Sequence, residues 1–146
     1  MSKTPLNIEE LSSIVVDCSY KIHVEIGPGL LESVYEIVLA KMLEDRGLKV
    51  QRQFPISIHL MGMHFEEGFR ADLIIEQSLL VEIKSLQALS MVHSKQVLTY
   101  LRLLKLPLGL LINFSASTFK EGCKRIVNDH KDLNSSRLRV NQKPEK

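Results

Sequence analysis

Two short apolar runs near the middle of the chain constrain its fold more than any other feature of the sequence. They are Arg70-Ala71-Asp72-Leu73-Ile74-Ile75 and Leu79-Leu80-Val81-Glu82-Ile83-Lys84, separated by a polar reversal near Gln77-Ser78. Each is strand-like and apolar through its middle. A strand of that kind has no wet face, so the hairpin they predict must be covered on both sides. Three charges stand within it, Asp72 opening the first strand and Glu82 and Lys84 closing the second. Charged groups in a covered hairpin are costly unless they have partners or an ion to hold.

The flanking sequence supplies the covers. Asn7-Ile8-Glu9-Glu10 has capping-box form, and Ile8, Leu11, Val15, Cys18 and Ile22 continue at helical spacing. Gly27-Pro28-Gly29 breaks that helix. Leu31, Val34, Val38 and Met42 form the stripe of a second, with Gly47 as its stop. Residues 49–54 and 56–60 alternate like strands, interrupted by Pro55, and 64–69 lead into the strand at 70–76. Helical spacing returns over 90–104 and ends before Pro107. Residues 108–114 are an apolar run that reads as a buried central strand, and 121–128 read as a last strand or a short helix. This order predicts an α/β or α+β fold, a mixed β-sheet flanked by helices.

At 146 residues, 45% apolar and 25% charged, the chain is most simply one globular domain, assigned to residues 1–128. Residues 129–146 are expected to form a basic, flexible tail. Net charge is only +2, yet residues 124–146 hold seven Lys or Arg against three Asp or Glu. Such a tail either adds affinity for phosphate or is simply solvated. Cys18 and Cys123 lack metal-ligand spacing and read as reduced thiols of a cytoplasmic protein. No run approaches the ~20 apolar residues of a membrane span.

The three charges carry a geometric condition. A two-residue reversal would set Asp72 opposite Ile83, and Asp72 and Glu82 would then face apart. An odd-length reversal or a bulge sets Asp72 opposite Glu82, and directly opposed residues share a face. Two carboxylates a few ångströms apart repel by roughly 4 kcal/mol at an effective dielectric near 20. A hard divalent cation such as Mg²⁺ removes that conflict. Lys84 shares the face of Glu82 and would orient water or stabilise charge developing on phosphate. The plain alternative is a salt-bridged strand end.

Taken together, Asp72, Glu82 and Lys84 resemble the motif of the PD-(D/E)xK nuclease superfamily. Gly29-Leu30-Leu31-Glu32-Ser33-Val34-Tyr35 is similar to the signature of the GxxExxY protein family, grouped with those nucleases. Arg70-Ala71-Asp72, Val81-Glu82-Ile83-Lys84, His93-x-x-Gln96-x-x-x-Tyr100-Leu101 and residues 109–114 resemble its further blocks, in order, so the resemblance spans about 8–127. It implies a restriction-endonuclease-like core. It also implies Asp72 and Glu82 as metal ligands completed by the Ile83 carbonyl, Lys84 as catalytic lysine, and Glu32 as a further metal-holding carboxylate supplied by a helix. Gln96 and Tyr100 resemble a Gln-x-x-x-Tyr element that supports the site or meets nucleic acid, with Arg70 and His93 as further candidates for that role. The superfamily's proline is replaced by Ala71.

Plain readings stand beside these. Glu32 and Glu36 also fit a solvated helix face, Tyr35 a core aromatic, and His93 a helix residue without a site role. Arg70 suits phosphate or a pair with Asp72, and Asn113 suits backbone groups at a strand end. The leading expectation is a Mg²⁺-dependent nuclease, with Mn²⁺ as substitute, acting on nucleic acid (DNA ahead of RNA) through a metal-activated water. It would work away from membranes, as a monomer or homodimer. The alternative is an inactive nuclease-fold domain binding nucleic acid or a protein partner. A third reading is a metal-independent regulator that dimerises through its apolar helices.

Overall fold

The computed structural model describes residues 4–129. Helix α1, Ile8–Glu25, starts where its capping box dictates: the Glu10 amide donates to the Asn7 side chain at 2.8 Å and the Asn7 amide donates to the Glu10 carboxylate at 3.0 Å. Leu11, Val15, Cys18 and Ile22 form its buried stripe. Helix α2, Glu32–Asp45, buries Tyr35, Leu39, Ala40 and Leu43 and ends just before Gly47, whose φ of +86° suits a residue without Cβ.

The sheet contains β1 (Val50–Leu60), β2 (Met63–Ile75), β3 (Leu79–Lys84), β4 (Leu108–Asn113) and β5 (Cys123–Val127), in that spatial order. All neighbours are antiparallel except β3 and β4, which run parallel. A parallel pair needs a crossover, and helix α3, Met91–Leu104, lies in that connection. Helices α1 and α2 cover one face of the sheet, packing on Leu73, Ile75, Val81, Ile83, Leu110 and Ile112. The other face packs Ile74, Leu80 and Leu111 against Val97 and Leu101 of α3. The mixed, helix-flanked α+β sheet expected from the sequence is therefore present, and both faces of the central hairpin are covered. Gly109 lets α3 approach closely, since a Cβ there would stand 2.8 Å from Val97 Cγ1.

Four local expectations need correction. The buried stripe of α2 is not Leu31, Val34, Val38 and Met42 but Tyr35, Leu39, Ala40 and Leu43, one residue further round the helix, and Leu31 is 74% exposed. Pro55 does not interrupt β1: the strand runs through it, opposite Arg70. Because β1 is the sheet's edge, Pro55 has a side on which a missing amide costs no ladder bond. Residues 64–69 are not a lead-in but part of one thirteen-residue strand, β2, so Asp72 lies in its last third rather than at its start. Residues 121–128 are not one element. A single helical turn, α4 (Phe119–Gly122), passes directly into β5. The expected tail lies, from residue 130 onward, outside the described residues.

Candidate active site

Everything at the site follows from how β2 turns into β3. The closing pair is Ile75 with Leu79, which leaves a three-residue loop, Glu76-Gln77-Ser78. Glu76 and Gln77 both adopt left-handed backbone, φ +52° and +56°. The register continues through Ile74 with Leu80 and Leu73 with Val81. Asp72 and Glu82 are next in line and oppose each other. The odd reversal required to bring the two carboxylates together is thus the one the chain adopts.

At that point backbone pairing gives way to side chains. The Asp72 amide donates to Glu82 Oε2 at 2.7 Å, and the Ile83 amide donates to Asp72 Oδ2 at 2.8 Å. Each carboxylate holds the backbone of the opposite strand, which fixes both acids at the place where the strands part. Glu82 is only 4% exposed. Burial, and then the neighbouring charge of Asp72, push its carboxyl up to about 8. The Asp72 carboxyl is also raised, chiefly by burial, with Glu36 adding to it while the Ile83 amide and Lys84 oppose it. Two acids held together against their preference for water are a site short of positive charge.

Lys84 ends β3 two residues beyond Glu82, half-buried. Its ammonium lowers the pKa of both acids without an ion pair to either. It opens onto a groove of about 500 Å³ lined also by Val92, His93, Lys95, Gln96 and Thr99. Gln96 is exposed in that groove. Tyr100, one turn further along α3, stacks on Phe69 with ring centroids 3.9 Å apart. Burial raises the Tyr100 hydroxyl pKa, and the Glu82 and Asp72 charges raise it further. His93 lies beside the groove, but its Nδ1 accepts the Ser90 amide at 3.0 Å and so helps cap α3.

Two expected residues are engaged elsewhere. Arg70 pairs with Glu67, not with Asp72. Glu32 is exposed, and its carboxylate accepts the Ser85 amide at 3.2 Å, just past Lys84. It belongs to a clasp joining the loop before α2 to the ends of β3 and β4. In that clasp Ser85 Oγ donates to the Leu30 carbonyl at 2.7 Å and lies 2.7 Å from Ser115 Oγ. Tyr35 closes the clasp from below. Its hydroxyl donates to the Gly27 carbonyl at 2.6 Å and accepts the Leu30 amide at 3.2 Å, while its ring stacks on Phe114. Asn113 satisfies backbone at the same strand ends: its side chain accepts the Leu86 amide and donates to the Leu86 carbonyl, both at 2.9 Å.

The structure also brings in residues to which sequence reasoning gave no site role. Glu36 is not on a solvated face. It is 4% exposed and accepts Arg52 Nε at 3.1 Å and Gln53 Nε2 at 2.7 Å. Gln53 Nε2 also reaches Asp72 Oδ1 at 3.3 Å. Gln53 has φ +51° in the middle of a strand, a conformation that costs an L-residue about 1–2 kcal/mol. The only sequence signal for Glu36 is its place one turn after Glu32. Gln53 carries none, because left-handed backbone is not readable from a glutamine in an alternating run.

Among the described residues, no group of three or more His, Cys, Asp or Glu side chains converges to hold a metal ion. Asp72 and Glu82 remain, a pair of hard oxygen donors with a deficit of positive charge. That suits Mg²⁺, which is commonly held by one or two carboxylates together with water and phosphate oxygens. No helix among the described residues is long and apolar enough to cross a membrane.

No curated protein and no solved structure matches the chain. A family model described as the PD-(D/E)XK nuclease superfamily matches residues 9–126, from the first turn of α1 into β5. That span holds the hairpin with its opposed Asp72 and Glu82, and Lys84 beside them, so by fold, motif and family match this chain belongs to the PD-(D/E)XK nuclease superfamily.

Proposed function

We propose that this protein hydrolyses phosphodiester bonds of nucleic acid, DNA ahead of RNA, with a divalent cation, Mg²⁺ ahead of Mn²⁺, held at Asp72 and Glu82. The observation that carries this reading is the opposed pair itself, Glu82 buried and Asp72 half-buried. Two carboxylates bind each other's strand through backbone amides, and burial raises both, with the charge of Asp72 adding to Glu82 and that of Glu36 adding to Asp72. The Ile83 carbonyl belongs to the strand that Asp72 fixes and is the further oxygen donor of the set. The cation, when bound, supplies a Lewis acid for phosphate and lowers the pKa of a bound water.

The chain's own residues do the rest. Asp72 and Glu82 keep their oxygens aligned without help from mobile loops. Lys84, on the same face as Glu82, presents an ammonium where negative charge develops on phosphate. The groove at Lys84, with Lys95 and Gln96 on its wall, receives the phosphate backbone. Tyr100, fixed by its stack on Phe69, borders the acids from α3. Glu32 holds the strand end that carries Lys84. The free thiols Cys18 and Cys123 accord with a cytoplasmic setting.

The test is cleavage of single-stranded, duplex and branched DNA, and of RNA, with and without Mg²⁺, by the wild type and by Glu82→Ala. The wild type cleaves at least one substrate only with metal, and Glu82→Ala folds but loses both cation binding and cleavage. A wild type inert on every substrate would favour a nuclease-fold domain that binds nucleic acid or a protein without cutting. That no group of three or more His, Cys, Asp or Glu side chains converges among the described residues gives that second reading its support.

A further inference from the structure

We infer that Gln53 is a positioning residue for the proposed metal site: its amide clamps the Asp72 carboxylate and is itself anchored through Glu36 to Arg52. The inference rests on the reading of Asp72 as a cation ligand, but its structural content does not.

The clamp is a chain of four side chains. Arg52 Nε donates to Glu36 Oε2 at 3.1 Å, and Gln53 Nε2 donates to Glu36 Oε1 at 2.7 Å and to Asp72 Oδ1 at 3.3 Å. Asp72 Oδ2 then accepts the Ile83 amide at 2.8 Å. The orientation of the Gln53 amide has no ambiguity, because both its neighbours are carboxylates and only the NH₂ end can face them. With one oxygen on Gln53 and the other on the β3 backbone, the Asp72 carboxylate cannot rotate freely. A ligand held in its binding rotamer before the cation arrives loses less entropy on binding.

The backbone points the same way. Gln53 lies between the pairs Arg52 with Leu73 and Phe54 with Ala71, so it sits opposite Asp72. At that one residue β1 turns left-handed, φ +51°. A glutamine in an ordinary extended conformation would relieve the strain. Strain kept at a single residue facing an active-site acid marks a position where the aim of a side chain matters more than local stability. Gln53 is exposed and packs in neither hydrophobic cluster. It contributes to this fold mainly through its amide.

These features separate a positioning role from a structural one. Gln53→Gly removes the amide and also the Cβ that the left-handed backbone disfavours. The experiment measures three quantities on wild type and Gln53→Gly: melting temperature without metal, hydrogen exchange of the Ile83 amide, and Mn²⁺ affinity by calorimetry. For the variant we expect a melting temperature at or above that of the wild type, with α3 and β4 amides as protected as before. The Ile83 amide should exchange at least tenfold faster, and Mn²⁺ should bind several-fold more weakly. Unchanged Ile83 exchange would overturn the clamp. A lowered melting temperature with protection lost across the whole sheet would overturn it too, by making Gln53 a support of the fold. If the wild type binds no Mn²⁺, the metal-site reading fails by itself, and Ile83 exchange still decides the clamp.

Discussion

At the residue scale the site is built from pairs of functions carried by single side chains. Asp72 and Glu82 are at once hydrogen-bond acceptors that close a gap in the sheet and the acids proposed to hold a cation. Substituting either therefore tests structure and chemistry together. Lys84 is the cleaner probe, because among the described residues its ammonium makes no ion pair and acts on the two acids only through its charge. Lys84→Met should fold like the wild type and still bind Mn²⁺, since the carboxylates remain and a neighbouring positive charge is gone. Its cleavage rate should fall about 10²–10³-fold, the range found when one group stabilising transition-state charge is removed. Single-turnover cleavage at saturating metal, beside a calorimetric titration, separates the two effects. Tyr35 was legible only as a core aromatic. Its ring is in the core, stacked on Phe114, but its hydroxyl ties down the loop of its own motif, Gly27 to Leu30. Tyr35→Phe keeps the stack and drops two hydrogen bonds. It should cost about 1–3 kcal/mol in a denaturant titration, with Lys84 exchange and cleavage changed less than stability.

At the element scale the deciding feature is the length of one loop. Three residues between Ile75 and Leu79 put Asp72 opposite Glu82. Deleting Gln77 would leave two, shift the register by one and turn one carboxylate to the other face. The expected outcome is a folded protein, or one weakened by a few kcal/mol, that no longer binds Mn²⁺. A chemical-shift map of β2 and β3 beside the titration would show whether the slip occurred. The reversal was readable from sequence as a condition, not as a fact. Gln77-Ser78 contains no Asn-Gly or Asp-Gly to impose a two-residue turn, and nothing local requires left-handed Glu76 and Gln77. The partners across the hairpin decide, since only this register buries Leu73, Ile75, Leu79 and Val81 on one face. Pro55 gives the same lesson. Proline argues against a strand, and edge position overrides it.

At the scale of the whole molecule the raised acids make stability depend on pH. A glutamate at 4.5 when unfolded and about 8 when folded binds a proton more tightly in the native state. Between those values the native state holds more protons than the unfolded one, so stability falls as pH rises. Asp72 is raised as well and acts in the same direction. Exposed Asp17 and Glu67 are lowered by their arginine partners and act oppositely, but as surface pairs they count for little. Without metal, the melting temperature of the wild type should fall relative to Glu82→Gln from pH 5 to pH 8. Added Mg²⁺ should restore the wild type most at the upper end, because it replaces the proton that the pair gives up. Parallel melting curves across that range would sink the assignment of a strained acid pair.

The sequence by itself determined the class of fold and the identity of the central trio. Helical and strand periods are local properties written in side-chain spacing, and a covered hairpin carrying three charges has few physical uses. Tertiary structure alone decided which acids meet. Glu32 and Glu36 differ by one turn of the same helix, and only the packing of α2 against β1 sends Glu36 to Arg52 and Gln53 and leaves Glu32 at Ser85. Gln53 is invisible in sequence for the same reason. Its backbone conformation and its partners come from three separate segments, and no spacing along one of them encodes where the other two will lie.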